Sequence, residues 1–193
     1  MRLSVIAFVL MCTAFLMAQD VNIDRSGDSS VEAKFAPGGR IRMDICPSGA
    51  EIVGTNDSAI RVSYHPERDD VRVRLRVWSD RAELKITGCP HNNFHAKIEI
   101  PKSSALYARM FAGQMDVIDV TGDKDVEVSF GQLNMDVGQP ELYAHVDASV
   151  NSGQVQASAF GVNKGGIFRS FDRSGPGKYR VHAHVGAGQV ELR

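Results

Sequence analysis

The residues whose types and spacing bear on chemistry are histidines, aspartates and two cysteines. His182 and His184 stand two apart in an alternating segment, so a strand there puts both imidazoles on one face. Two imidazoles on one face hold a divalent ion when a third ligand converges, and His145 is the candidate third. His91 and His95 flank Asn92, Asn93 and Phe94 at a turn. A polar strand face and a turn account for both sets, so no metal and no cofactor are expected. Asp116, Asp119, Asn134, Asp136 and Asp147 recur through the second half. A glycoside hydrolase needs a carboxylate pair about 5–9.5 Å apart. Charges on an outward strand face more commonly solvate the sheet and block edge pairing. The chain has no Gly-x-Ser-x-Gly elbow, no His-Glu-x-x-His helix and no phosphate loop. No catalytic residue is expected, and the chain is read as not an enzyme.

Residues 3–18 read LSVIAFVLMCTAFLMA, without a charge, between Arg2 and Gln19-Asp20. A basic start, an apolar run and a small residue before a polar stretch mark a secretory signal peptide, with cleavage expected after Ala18. A retained membrane anchor is the competing reading, which the short run disfavours. Loss of this segment removes Arg2 and Cys12, leaving 21 Lys plus Arg against 23 Asp plus Glu. That small negative excess argues against nucleic acid or an anionic membrane as the main partner. Cys46 and Cys89 remain, 43 residues apart and each followed by proline. In an oxidising compartment one disulfide is the simplest outcome, and two buried thiols the other.

The elements that must position these residues are strands. Apolar and charged residues alternate in 41–45, 71–77, 82–86 and 96–100, as in strands with one face on a core and one in water. Gly, Pro, Asn and Asp mark the breaks. Residues 19–30 are polar and expected to be a disordered linker. The second half repeats. MFAGQMDV from Met110, VSFGQLNM from Val128, VNSGQVQA from Val150 and VGAGQVEL from Val185 share the pattern apolar-x-x-Gly-Gln-apolar-x-apolar. Gly113, Gly131, Gly153 and Gly188 are read as corners, spaced by 18, 22 and 35 residues. A unit of about 20 residues that cannot bury its own core must stack on its neighbours. Gln114, Gln132, Gln154 and Gln189 would then form a ladder, bonded rung to rung or presented as a polar stripe to a glycan. The longest interval holds 161–178, rich in glycine. Its Lys164, Arg169, Arg173 and Lys178 are a candidate surface for an acidic partner, with Phe168 and Phe171 to pack it down. Trp78, beside Ser79, Asp80 and Arg81, is expected as a core plug.

On Ile100-Pro101-Lys102, the Gly-centred repeats, Gly38-Gly39 before Ile41, and the ending YRVHAHVGAGQVEL from Tyr179, the chain resembles the bacterial putative-adhesin family with β-strand repeats, over about 30–193. That resemblance implies an exported, right-handed β-helix-like solenoid. The reading is an all-β fold: signal peptide 1–18, linker 19–30 and a single domain 31–193. Regular rungs fill about 105–193, and longer alternating strands about 30–104. Its expected function is a non-catalytic, adhesin-like binding module of the cell envelope. It would sit in the periplasm, on the cell surface or outside the cell, and face a glycan or protein partner. A structural envelope scaffold is the first alternative, and a carbohydrate-active enzyme the less favoured one.

Overall fold

Alternating apolar and polar residues build thirteen strands, hydrogen-bonded into one sheet, with two 3-10 turns and no α-helix among the described residues. The computed structural model describes residues 20–26, 30–46, 48–66, 69–90 and 93–193. The expected signal segment 1–18 lies outside them. In chain order the strands are β1 (Val21–Ser26), β2 (Ser30–Lys34), β3 (Arg40–Ile45), β4 (Ser48–Thr55), β5 (Ala59–His65), β6 (Arg72–Val77), β7 (Arg81–Thr87), β8 (His95–Pro101), β9 (Ala105–Ile118), β10 (Lys124–Met135), β11 (Tyr143–Ala157), β12 (Val162–Ser174) and β13 (Tyr179–Leu192).

The long strands fold back on themselves. Leu106 of β9 pairs in parallel with Lys124 of β10, yet only residues 119–123 join the two strands. A straight run from 106 to 118 would cover about 40 Å. A link of six steps reaches about 20 Å at most, so β9 must bend. The bend sits at Gly113, with φ of +127°. It also changes parity. Met110 and Met115 are five apart and both buried, whereas a straight strand would send them to opposite faces. Val128 and Leu133, Val150 and Val155, and Val185 and Val190 repeat the relation. Each rung therefore has two arms whose apolar sides share one buried cluster.

The same rung is hidden in the first half. β3 pairs with the first arm of β9 and β4 with the second, both parallel and in one register, Arg40 with Ala105 and Ser48 with Gly113. Ile45 and Ala50, five apart, are both buried. β7 and β8 lie beside β3 and β4 as the next rung. β6 and β5 run antiparallel to these, and β1 and β2 antiparallel in turn to β6 and β5. On the other side of β9 the order is β10, β13, β11 and β12, the last antiparallel. Parallel rungs thus occupy the middle and antiparallel ones both ends.

Four expectations need correction. The sheet is open, and its rungs do not stack in chain order: β12 carries the chain back along β11, and β13 then enters between β10 and β11. The N-terminal strands are shorter, at 5–8 residues against 12–15, because their corners are interrupted. The expected linker 19–30 contains β1: Val21 and Ile23 pack against the core cluster, and Asp24 binds Arg72 at 2.6 Å and Arg74 at 3.2 Å. The 161–178 segment forms most of the end strand β12, and of its two phenylalanines only Phe171 packs down, Phe168 being exposed.

The disulfide Cys46–Cys89, with Cα atoms 5.9 Å apart, joins the corners of the β3–β4 and β7–β8 rungs. At the other corners glycine is demanded by contact. A Cβ on Gly131 would fall 1.9 Å from the Gly113 carbonyl oxygen, and one on Gly153 1.7 Å from that of Gly188.

Gly131→Ala should lower stability by at least about 2 kcal/mol in urea unfolding, through positive φ and backbone collision together. Gly138→Ala, at φ +64° with open space around it, should lose only about 1 kcal/mol. Replacing both Cys46 and Cys89 by serine should lower stability by about 3 kcal/mol, with the fold retained by circular dichroism.

Candidate functional site

In-register stacking sets equivalent residues of neighbouring rungs about 4.8 Å apart. Every outward position thus becomes a row crossing the stack, and the corner row and the outer face of the first arms carry the chemistry.

The first is the corner row. Gly113, Gly131, Gly188 and Gly153 are consecutive partners, as are Gln114, Gln132, Gln189 and Gln154. They line a shallow groove of about 640 Å³ together with Gly165 of β12. The carboxamides bond along the strand or to another side chain. Gln114 donates to Asp116 at 2.8 Å, Gln132 to Asn134 at 2.8 Å and Gln154 to Asn163 at 2.7 Å. Asn134 in turn donates to Asp116 at 2.7 Å. The expected rung-to-rung bonding among glutamines does not hold for these three. Phe111 and Phe130, 61% and 52% exposed, pack edge to face at 5.3 Å at one end of the row. Ile167 and Phe168, 66% and 79% exposed, stand at the other. Sequence reasoning passed over Phe111 and Phe130. The available signal was their shared place between the last inward residue and the corner glycine.

The second is the outer face of the first arms. One row runs Tyr107, Asp125, His182, Asp147, Asp172, and the next Arg109, Glu127, His184, Ser149, Ser170. His182 Nδ1 lies 2.5 Å from Asp147 Oδ2, and His145 Nε2 3.2 Å from Asp172 Oδ2. His184 Nδ1 and Ser149 Oγ are hydrogen-bonded at 2.9 Å. Arg109 Nη2 holds Glu127 at 3.0 Å. Burial, opposed by His182, raises the Asp125 carboxyl above its ordinary range. Towards β3 the face turns basic, with Arg42 and Arg109 both 4.8 Å from the Tyr107 ring. The pair His182 and His184 thus shares a face, as expected, and His145 stands two rows from His184. Sequence reasoning missed Asp125 and Glu127, which lie on another strand.

The remaining candidates disperse. Asp147 lies on the first arm of its rung, Asp116 and Asn134 on the second arms of theirs. Asp119 and Asp136 follow the ends of β9 and β10, and burial raises the Asp136 carboxyl. Lys164 and Arg169 donate to backbone oxygens of their own strand, Ser170 O at 3.0 Å and Gly165 O at 2.9 Å. Arg173 and Lys178 stack on Phe160 and Tyr179 near its other end. His95 faces Glu51 at 4.0 Å, and His91 lies outside the described residues. Trp78 is half-buried rather than a core plug, with the Arg81 guanidinium 4.7 Å from its ring.

Beneath the outer face lies a core lysine. Lys124, 1% exposed, donates to Val120 O at 2.6 Å and Tyr143 Oη at 2.5 Å. Burial, partly opposed by Asp136 and Asp123, lowers its amine to about 8. Burial pushes the Tyr143 phenol up to about 12.

These features define an open, all-β sheet of stacked, cornered rungs with a corner groove and a charged outer face. No protein-family model and no curated protein matches the chain. Among solved structures it is similar to a putative cell adhesion protein from Clostridium sporogenes, at 12% identity and a TM-score of 0.51, over 91% of this chain and 100% of that one. The likeness concerns the fold. No helix among the described residues is long and apolar enough to cross a membrane.

The Lys124 pair predicts a pH response. Between about pH 8 and 10.5 the unfolded lysine keeps a proton that the folded one has released. The unfolded state then binds more protons, so stability rises with pH. Above pH 10 the unfolded tyrosine ionises first and opposes the rise. Stability in urea should climb by about 2 kcal/mol from pH 8 to 10 and then level. Lys124→Met should remove the climb.

Proposed function

We propose that the chain is an exported, non-catalytic, adhesin-like module that holds an extended glycan along its corner groove. The carrying observation is the corner's composition: carboxamides at a regular spacing with glycine floors between them, and exposed Phe111, Phe130 and Phe168 on the strand segments beside the corner glycines. Exposed aromatic rings offer apolar faces to sugar rings, and amides offer donors and acceptors to hydroxyls. Apolar groups left in water at a groove mark a binding surface. Ligand orientation follows from the stack, since a polymer with repeating polar groups meets a repeating row. The Asp116 carboxylate accepts a hydrogen bond on each oxygen, from the Gln114 and Asn134 amides, which favours binding over acid–base work.

Export is supported by the uncharged segment 3–18 and by a disulfide, a bond kept in oxidising compartments. A β-helix-like stack is the reading that the cornered parallel rungs β9, β10, β13 and β11 favour. A protein partner or an envelope scaffold are the competing roles.

A glycan array probed with residues 19–193 and with the Phe130→Ala/Gln132→Ala variant tests this. Wild type should retain an extended polysaccharide, and the variant should bind about tenfold more weakly, from one lost aromatic contact and one lost amide bond. No signal on any glycan, together with concentration-dependent self-association, would replace this reading with the scaffold.

A further inference from the structure

We infer that Asp125, Glu127 and His182 form a binding site for a first-row divalent cation of the zinc type, on the outer face of the first arms. Each residue offers one ligand atom, and the three atoms lie within 4.8 Å of one another. Metal–ligand bonds of about 2.1 Å place donor atoms at most about 4.2 Å apart, and about 3.4 Å apart around a tetrahedral ion. Small side-chain rotations therefore close the site.

The backbone holds the ligands in place. Asp125 and His182 are direct partners on adjacent parallel strands, and Glu127 is two residues on, on the same face as Asp125. The neighbours orient the side chains. Asp147 engages Nδ1 of His182, which leaves Nε2 to coordinate. A carboxylate on one ring nitrogen is the usual support of a metal-bound histidine on the other. Arg109 holds Oε1 of Glu127 from the far side. Asp125 Oδ1 is buried and has no hydrogen-bond partner. Buried acceptors are rarely left unmatched, and a cation held here would satisfy this one.

The donor set selects the ion. One imidazole and two carboxylates suit zinc or manganese. Calcium and magnesium prefer oxygen alone. This site is on the arms, whereas the proposed glycan row is at the corner, so neither depends on the other.

Calorimetric titration of the untagged, chelator-treated protein with ZnCl2 at pH 7.5 tests the inference. One ion per chain should bind, with a rise in melting temperature, and excess CaCl2 should not displace it. Asp125→Asn and His182→Gln should each weaken binding at least tenfold, with unchanged circular dichroism. Glu127→Gln should weaken it several-fold. His145→Asn should stay within twofold of wild type. Absence of saturable binding up to 1 mM, equal competition by calcium, or full binding by Asp125→Asn overturns the site. Loss on His145→Asn with retention in His182→Gln places the ion at the His145–Asp172 pair instead and equally overturns it.

Discussion

The structure depends on the absence of side chains along one line. At each corner the place where a Cβ would stand holds the carbonyl oxygen of the next rung: Ser48 for Gly113, Gly113 for Gly131, Gly131 for Gly188 and Gly188 for Gly153. Positive φ turns the chain there, and the missing Cβ lets neighbouring backbones approach to hydrogen-bonding distance. Without the turn, the five-residue step from Met110 to Met115 would put one of them in water. With it, both arms bury their apolar side in one cluster. The fold-back, the shared core and the register of every outward row follow from that one contact.

The corners without the Gly-Gln pair are secured differently. Cys46 and Cys89 cross-link the β3–β4 and β7–β8 corners, where the second carries several more residues than the first. A covalent link between adjacent rungs limits the unfolded chain at these corners. The ends of the stack show a related economy. Parallel rungs need a return path from the end of one strand to the start of the next, and the short link 119–123 supplies it. At each end the chain turns antiparallel instead, through β5–β6 and through β12. Edge strands invite pairing with other chains. β12 places Lys164, Arg169, Asp172 and Arg173 on one such edge, and β1 places Asp24 and Arg25 on the other.

Much of this was legible in the residues. Alternation gives strands, and apolar-x-x-Gly-Gln-apolar gives both the corner and, through its odd spacing, the parity change. The rung in Ile45 to Ala50 obeys the same spacing but was hidden, because Ser48 stands where the others have glycine. The order of the rungs was not legible. β13 lies between β10 and β11 through long-range pairing, and no local pattern encodes which neighbour a strand takes. The groove glutamines were visible as a repeat, while Phe111 and Phe130 were masked by varying position. Asp125 and Glu127 escaped for another reason. They are 57 residues from the histidines with which they pair, and only the register joins them.

Register also explains why one scaffold carries two different kinds of surface. Where the repeat conserves its residue, as at Gln114, Gln132, Gln189 and Gln154, stacking multiplies one group into a uniform stripe. Where the repeat leaves a position unconstrained, stacking sets unlike residues side by side, as in Tyr107, Asp125, His182, Asp147 and Asp172. The corner glycine recurs because the turn and the close backbone approach require it. The outward positions of the arms face solvent and answer only to their row neighbours, about 4.8 Å away. At that distance an acid beside an imidazole interacts strongly, and an acid beside an acid needs a cation or a proton between them. The outer face therefore concentrates charge chemistry in the arms, while the corner, held by backbone contact, remains neutral and repetitive.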